Sequence, residues 1–238
     1  MDKLLKGVNQ DYKLTPYKAL ACSKSDGFVE FVPKTRTFQD TDLKEHLQKL
    51  IQKKSEIVME NYVFSTAGYC SMTYFFIIGD RHLENLLIDE EGKIFHIDFG
   101  FILGRDPKPY PPPVKISREM IDAMGVLSPE KEQENNNYQK FKLKTTEAYL
   151  YLRRQSRMIY NLTVLMLDSG IKDVHNEGLN KLYDKFSIHL NDTEAEKYFL
   201  MVLEECKNAL FPNITDTIHI WATYFRKWFV LFIWLYNI

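Results

Sequence analysis

Cysteine is scarce in this sequence, which limits the kinds of structure that the chain can form. The 238 residues include three cysteines, Cys22, Cys70 and Cys206, and no two of them have the spacing of a zinc site or a redox pair. This excludes a disulfide-stabilised secreted scaffold. We expect the three side chains to act as small buried hydrophobic groups in a reducing compartment.

An excess of charge of one sign is also absent, since the formal net charge is −1. Without a dense basic tract, binding to nucleic acid is not expected. The apolar tail over residues 228–238 has eleven residues, which are too few to span a bilayer. We predict that this tail is an interfacial helix or an error of the gene model such as a read-through intron. The chain opens without an apolar signal segment, which favours a cytoplasmic location.

Residues with catalytic potential are concentrated in one stretch, from Gly79-Asp-Arg-His-Leu-Glu-Asn85 to His96-Ile-Asp-Phe-Gly100. The β-prone residues between the two motifs flank a turn that ends at Gly92, which is typical of a hairpin. Antiparallel pairing brings the start of the first strand beside the end of the second. Asn85 and Asp98 should therefore lie within reach of one hydrated divalent cation.

The rest of the pattern predicts two short strands followed by a mostly helical body. The strands fall between residues 13 and 32, where β-prone runs alternate with turn signals such as Ser25-Asp-Gly27. Apolar spacing predicts helices around residues 43–51, 62–78 and 138–167. Another helix should follow Asn191, which can act as an N-cap with Glu194 three residues later.

The order of the catalytic residues distinguishes this chain from protein kinases, which have His-Arg-Asp where this chain has Asp80-Arg-His82. The inverted loop followed by Asp-Phe-Gly resembles the phosphatidylinositol 3-kinase and 4-kinase superfamily. The proline-rich stretch from Asp98 to Lys115 is similar to the activation loop of class III phosphatidylinositol 3-kinases, which act on unphosphorylated phosphatidylinositol. Further matching stretches extend the resemblance to about residue 227, and they include residues 14–20, 27–32, 151–154, 208–210 and 224–227.

The resemblance implies an α+β, two-lobed kinase-like fold of the phosphatidylinositol 3- and 4-kinase type. In this interpretation residues 1–33 form part of the N-lobe and the hinge. Residues 34–227 form the helical C-lobe with the catalytic and activation loops, and residues 228–238 are an extra apolar tail.

The catalytic loop and the hairpin supply the groups that phosphoryl transfer from ATP requires. Asn85 and Asp98 are the predicted ligands of Mg²⁺ or Mn²⁺. An imidazole exchanges protons near neutral pH, so His82 could accept the proton of the attacking inositol hydroxyl while Asp80 orients that hydroxyl or shares the task. Arg81 is expected to be structural. The resemblance implies that ATP is further held by a hinge and an adenine slot, formed by Glu30, Phe31, Val32, Tyr17, Leu87 and Ile97.

The loop from Phe99 to Glu119 is expected to meet the lipid. Its prolines stiffen it, and four dispersed cations can reach an anionic headgroup: Arg105, Lys108, Lys115 and Arg118. This dispersed charge favours plain phosphatidylinositol as substrate and phosphatidylinositol 3-phosphate as product. A rival interpretation of the prolines is a ligand for an SH3-type domain.

Several family features are missing or altered. Family members carry a phosphate-covering loop and a lysine that binds the ATP phosphates ahead of the residues that match Met1, so the resemblance implies a fragment with weak or no activity alone. Ile77 replaces a glycine that is usual in the family, and Val126 replaces another.

Two alternatives stay open from the sequence: a phosphatidylinositol 4-kinase or related kinase, and a noncatalytic scaffold that keeps the kinase lobe. The family resemblance also implies a regulatory protein subunit and peripheral association with endosomal or autophagic membranes.

Overall fold

The computed structural model describes residues 1–23, 26–125 and 135–210. The predicted tail at 228–238 and the family-like stretch at 224–227 lie outside the described residues, as do Ser25, Val126 and most of the polar loop that precedes Asn135.

Eight α-helices, five strands and one 3₁₀ turn make up the described residues. The helices are α1 Asp2–Lys6, α2 Leu43–Lys54, α3 Ile57–Phe75, α4 Arg118–Ala123, α5 Asn136–Arg154, α6 Ser156–Val164, α7 Asn176–Lys185 and α8 Asp192–Leu210. The strands are β1 Ala19–Ala21, β2 Gly27–Val29, β3 Thr35–Thr37, β4 Leu86–Asp89 and β5 Ile94–His96, and the 3₁₀ turn at Leu83–Asn85 leads into β4.

The strands form two small antiparallel sheets. One contains β1 and β2, as predicted, and Leu20 pairs with Phe28. The other has the order β3-β4-β5. Leu86 pairs with His96 in the β4–β5 hairpin, which confirms the hairpin that the sequence predicts. The third strand of this sheet, β3, was not expected from the sequence.

Helix α3 lies at the centre of the fold because its sequence combines apolar with small residues that allow close packing on several sides. It packs against α5, α2, α7 and β5. Its C-terminal end is held by aromatic stacking: Phe75 lies 5.3 Å from Tyr149 between ring centroids, and Tyr149 lies 4.2 Å from Phe199. Three helices, α3, α5 and α8, are thus joined by one aromatic cluster just before the chain enters the catalytic loop.

The helix boundaries differ from the prediction in several places, and the C-terminal end of α3 lies at Phe75 rather than Ile78. Helix α3 begins at Ile57 rather than Tyr62, and the long helical stretch after Tyr138 is divided into α5 and α6 at Gln155. The N-terminus of α8 is as predicted. The side chain of Asn191 accepts from the N–H of Glu194 at 3.0 Å, and Glu194 accepts from the N–H of Asn191 at 2.9 Å.

The α+β class is confirmed, with about half of the described residues helical. Cys70 and Cys206 are buried as expected, whereas Cys22 is exposed on the β1–β2 hairpin. Within the described ranges, none of the helices has the length and apolar character needed to cross a bilayer.

Candidate active site

The catalytic loop is joined to the segment after Asp98 by backbone hydrogen bonds. The N–H of Gly79 donates to the carbonyl of Phe101 at 2.9 Å, and the N–H of Leu103 donates to Phe76 at 2.7 Å. The packing at Gly79 is tight, because a Cβ there would lie 2.4 Å from the carbonyl oxygen of Arg105. The two motifs that the sequence singles out therefore form one unit.

Arg81 links the backbone segments of this unit through hydrogen bonds. Its guanidinium donates to the carbonyl of Gly79 at 2.8 Å, to that of Ile97 at 2.6 Å, and to that of Asp98. The guanidinium carbon also lies 5.5 Å from the centre of the Phe99 ring. All three acceptors belong to backbone on either side of the site, which supports the structural role expected for this arginine.

Asp80 has a left-handed backbone, with φ of +53°. Such a conformation is uncommon outside glycine and needs support from its surroundings. Asn85 donates from its side-chain amide to the Asp80 carbonyl at 2.9 Å, and the Asp80 N–H donates to a carboxylate oxygen of Asp106 at 3.3 Å. The orientation of Asp80 is therefore set by polar contacts from the hairpin and from the loop that follows Asp98.

His82 lies beside Asp80, with 3.9 Å between Nε2 of the imidazole and a carboxylate oxygen. The other ring nitrogen, Nδ1, accepts from the N–H of Glu84 at 3.3 Å. Because Nδ1 acts as an acceptor, the proton of the neutral ring sits on Nε2, which faces Asp80. In this arrangement Nε2 is directed at the Asp80 carboxylate, while Nδ1 is occupied by the N–H of Glu84.

Asn85 and Asp98 come together at the open end of the hairpin, as the register requires. The N–H of Ile97, which precedes Asp98, donates to the carbonyl of Asn85 at 3.1 Å. One carboxylate oxygen of Asp98 accepts from the N–H of Gly100 at 3.0 Å, which leaves the other oxygen for a ligand. The side-chain nitrogen of Asn85 donates to the Asp80 carbonyl, so the side-chain oxygen of Asn85 points away from that carbonyl.

A magnesium ion fits this pair of oxygens, because Mg²⁺ prefers one or two protein oxygens completed by phosphates and water. Across the described ranges, no group of three or more His, Cys, Asp or Glu side chains is arranged for a metal.

Three predicted adenine contacts gather on one face of the hairpin. Leu87 pairs with Phe95, and residues two apart on a strand share a face, so Leu87 and Ile97 lie on the Phe95 side. Tyr17 packs edge-on against Phe95, with 6.2 Å between ring centroids. Its hydroxyl donates to the His96 carbonyl at 3.2 Å. The result is a half-buried apolar surface next to Asp98.

The predicted hinge follows β2. The N–H of Glu30 donates to the carbonyl of Lys18 at 2.8 Å, and its carboxylate accepts from the N–H of Lys18 at 2.8 Å. The Glu30 carbonyl and the Val32 N–H have no hydrogen-bond partner within the described part of the chain, so both remain open to a ligand. The side chain of Phe31 is 82% exposed, which leaves only its backbone for a hinge role.

Two of the four cations expected to meet lipid are engaged within the protein. The Lys115 ammonium lies 3.0 Å from a carboxylate oxygen of Asp106, and the two side chains are 8% and 6% exposed. Arg105 lies 3.1 Å from Asp173 and stacks over Phe101. This differs from the expectation for Lys115, because burial beside a carboxylate removes its ammonium from contact with a headgroup. Its role here is to hold the loop.

The other two cations are accessible. The side chain of Lys108 is exposed, and Arg118 is 65% exposed with Asp122 at 3.7 Å. Tyr110, between prolines in the same loop, is 94% exposed. The outer part of the loop therefore presents two cations and one aromatic ring to solvent.

Asp106 and Asp173 were missed from the sequence. Asp106 accepts from Asp80, Lys108 and Lys115. Asp173 accepts from the N–H of Ile102 at 3.2 Å and pairs with Arg105. Burial acts to raise the pKa of Asp106, but these donors hold it below the ordinary value. The position of Asp106 in the Gly-Arg-Asp-Pro turn was the only available signal.

Comparison with known proteins identifies the family of this chain. The family model for phosphatidylinositol 3- and 4-kinase matches residues 39–176. The chain belongs to this family. It is 41% identical over 239 residues to the nodule isoform of phosphatidylinositol 3-kinase from Glycine max, a match that covers 95% of the chain and 29% of that protein.

Other relatives are similar to this chain over the same share of its length. Phosphatidylinositol 3-kinase VPS34 of Arabidopsis thaliana is 41% identical over 239 residues, covering 95% of this chain and 29% of the relative. The VPS34 protein of Saccharomyces cerevisiae is 38% identical over 249 residues, covering 95% and 27%. The chain thus spans less than a third of the length of these relatives.

Proposed function

We propose that this chain carries the catalytic centre of a phosphatidylinositol 3-kinase, which transfers the γ-phosphate of ATP to the 3-hydroxyl of phosphatidylinositol. The observation that carries the proposal is that the catalytic loop and the hairpin bring four residues to one place, the open end of the hairpin: Asp80, His82, Asn85 and Asp98. The names of the similar proteins favour the 3-kinase over the 4-kinase.

In this proposal Asn85 and Asp98 would hold the Mg²⁺ or Mn²⁺ that accompanies ATP. The metal supplies charge neutralisation as the phosphoryl group is transferred. The free oxygen of Asp98 and the orientation of the Asn85 amide support the assignment. The adenine lies against Tyr17, Leu87 and Ile97, and the open backbone groups of Glu30 and Val32 supply its hydrogen bonds.

The inositol hydroxyl gives up its proton at the Asp80–His82 pair. With the proton of the imidazole directed at Asp80, the carboxylate is the direct acceptor and His82 stabilises the negative charge beside it. The left-handed backbone of Asp80 and its two backbone contacts hold the carboxylate in one orientation.

The lipid meets the outer part of the loop after Asp98. We propose that Lys108, Arg118 and the exposed ring of Tyr110 face the membrane surface, since cations and aromatic rings suit the headgroup region. Association with endosomal or autophagic membranes and with a regulatory protein subunit follows from the family resemblance and is part of the same proposal.

Nucleotide binding separates the catalytic proposal from a noncatalytic scaffold. Binding of a fluorescent ATP analogue to the 238-residue chain is measured with Mg²⁺ and with EDTA. We expect Mg²⁺ to tighten binding in the native chain but not in Asp98→Asn. The control is Asp168→Asn, which removes an exposed carboxylate far along the chain and should behave like the native protein. Equal binding with Mg²⁺ and EDTA in the native chain would favour the scaffold.

The identity of the product tests the substrate. Vesicles containing phosphatidylinositol are incubated with the chain and radiolabelled ATP, and the lipid products are separated by headgroup position. We expect any product to be the 3-phosphate and to disappear in Asp98→Asn. A 4-phosphate would overturn the assignment to the 3-kinase.

A further inference from the structure

A polar cavity lies at the other end of the β4–β5 hairpin from the candidate active site. It has a volume of about 360 Å³, within the range of about 300–1,000 Å³ typical of ligand pockets. Strand β3, one face of α2 and the hairpin turn surround it. We call it the β3–α2 pocket, and its lining is Lys34, Thr35, Arg36, His46, Leu50, Lys53, Lys54 and Glu90.

The lining of this pocket is strongly cationic in a chain that is almost neutral as a whole. Four side chains, those of Lys34, Arg36, Lys53 and Lys54, carry positive charge, against one carboxylate at Glu90. Glu90 is only partly able to neutralise them. Its carboxylate lies 3.7 Å from the Lys34 ammonium, in a pair whose side chains are 73% and 53% exposed, and solvent weakens such a pair.

The remaining cations are not paired with carboxylates. Lys54 donates to the backbone carbonyl of Glu90 at 2.7 Å, which fixes its ammonium at the mouth of the pocket. In the part of the chain that the structure describes, Arg36 and Lys53 have no ion-pair partner. Strand pairing fixes the backbone of Arg36, which is the middle residue of the edge strand β3 and lies opposite Ile88 of the central strand β4. The cationic groups therefore converge on one concave space from α2 and from the segment that contains β3.

His46 lies within the pocket and responds to its field. The pKa of His46 is lowered from its ordinary value by burial, then by the positive charges of Arg36 and Lys49, with Glu90 acting in the opposite direction. The C-terminus of α2 contributes about half a negative charge. This is small beside the four full positive charges, so the pocket attracts anions.

We propose that the β3–α2 pocket binds a multiply charged phosphate ester. A compact anion with two or more charges matches a compact space with several cations, whereas an extended acidic peptide needs a longer groove. The Arg36 guanidinium can bind two phosphate oxygens, and the lysines act as point charges around it. The phosphate ester is either a soluble molecule or the headgroup of a lipid, since both share this chemistry.

The test uses His46 as a local reporter in the 238-residue chain. The pKa of His46 is measured by NMR with and without myo-inositol hexakisphosphate, at equal ionic strength adjusted with potassium chloride. We expect the anion to raise the pKa of His46, because negative charge favours the protonated imidazole. Saturable binding should accompany the change. An unchanged pKa, or binding that potassium chloride reproduces, would overturn the proposal.

The pocket variant is Arg36→Gln with Lys53→Gln, which removes two charges without removing apolar packing. Its affinity for the anion should fall about tenfold or more. The matched control, Arg157→Gln with Lys197→Gln, removes two exposed charges on α6 and α8 and should retain native affinity. Equal losses in both variants would show a general charge effect and refute the pocket. Circular dichroism confirms that each variant is folded.

Vesicles distinguish the two sources of the phosphate. Sedimentation with phosphatidylcholine vesicles is compared with and without added phosphatidylinositol 3-phosphate. Extra binding that is lost in the pocket variant but kept in the control assigns the pocket to a lipid headgroup. Binding of the soluble anion without this vesicle preference assigns it to a soluble phosphate ester. The absence of both refutes the proposal. None of these readouts depends on catalysis by the active site.

Discussion

The ion pair between Lys115 and Asp106 is the sharpest place to test how the loop after Asp98 is held. The two charged atoms lie 3.0 Å apart and both side chains are almost fully buried. We expect Asp106→Asn to be severely destabilising, because it leaves the Lys115 ammonium in a buried place without its counter-charge. The N–H of Asp80 also loses a charged acceptor.

The magnitude follows from the burial of the pair. Removing one partner of a buried ion pair costs about 3–5 kcal/mol, whereas replacing both partners by neutral groups is often close to neutral. We therefore expect Asp106→Asn to lower the free energy of unfolding by about 3 kcal/mol. Adding Lys115→Met to that variant should restore most of the loss. A coupling energy of at least about 2 kcal/mol between the two sites would result, increased by whatever Lys115→Met costs alone.

Urea unfolding of the four proteins in this cycle, followed by circular dichroism, measures the coupling. The control is Asp122→Asn, since its partner Arg118 is 3.7 Å away and 65% exposed, and we expect it to cost about 1 kcal/mol or less. A loss below about 1 kcal/mol for Asp106→Asn, or no recovery in the double variant, would refute the reasoning. The lowered pKa of Asp106 means that its contribution is present above about pH 4 and is lost as the pH falls through the folded pKa.

Further variants test three single features of the site. At Ile77, where φ is +47°, Gly should be more stable than Ala by about 1 kcal/mol in urea unfolding, because only glycine adopts this conformation without strain; a more stable Ala variant would contradict the backbone assignment. Burial, aided by Arg81, lowers the pKa of His96 to about 3. The contribution of the neutral His96 ring to the free energy of unfolding is therefore complete above about pH 6.5 and is lost as the pH falls. In His96→Phe the phenyl ring can stack on Tyr69 as the imidazole does. The free energy of unfolding of this variant, relative to that of the native chain, should therefore rise by about 2 kcal/mol from pH 7 to pH 5. Urea unfolding at both pH values measures the difference, and an equal pH dependence of the two proteins would exclude His96 as its source. Arg81→Met should lower the unfolding free energy by about 2 kcal/mol or more and abolish Mg²⁺-dependent nucleotide binding, since three carbonyls lose a charged donor; retained binding would show that Arg81 does not organise the site.

Local patterns explain the parts of the fold that the sequence predicts correctly. The hairpin register from Leu86 to His96 follows from two β-prone runs and a turn that ends at Gly92, where φ is +81° and a Cβ would lie 2.6 Å from the carbonyl oxygen of Val58. The start of α8 follows from Asn191 and Glu194, three residues apart. Each signal involves residues close in sequence, and so each could be inferred before the structure.

Features that depend on distant parts of the chain could not be predicted in this way. Strand β3 has the sequence Thr35-Arg-Thr37, which carries no apolar alternation, and it forms because the free edge of β4 is available to it. Lys115 was expected at the surface because lysine is usually exposed. Its partner Asp106 lies nine residues away in an irregular loop, and no periodic pattern brings the two together.

The backbone around the site gives a reason for these buried charges. In the catalytic loop and the segment around Asp98, four residues other than glycine have left-handed φ angles between +47° and +55°, namely Ile77, Asp80, Asp98 and Leu103. Each such residue costs of order 1–3 kcal/mol when its side chain is large, so the loops would relax if nothing opposed them. Arg81 holds the Asp98 side and Asp106 holds the Asp80 side, each through contacts with backbone groups. Because these two charges act on opposite loops, the carboxylates of Asp80 and Asp98 keep their relative orientation only while both are in place, and loss of either should weaken nucleotide binding as well as stability.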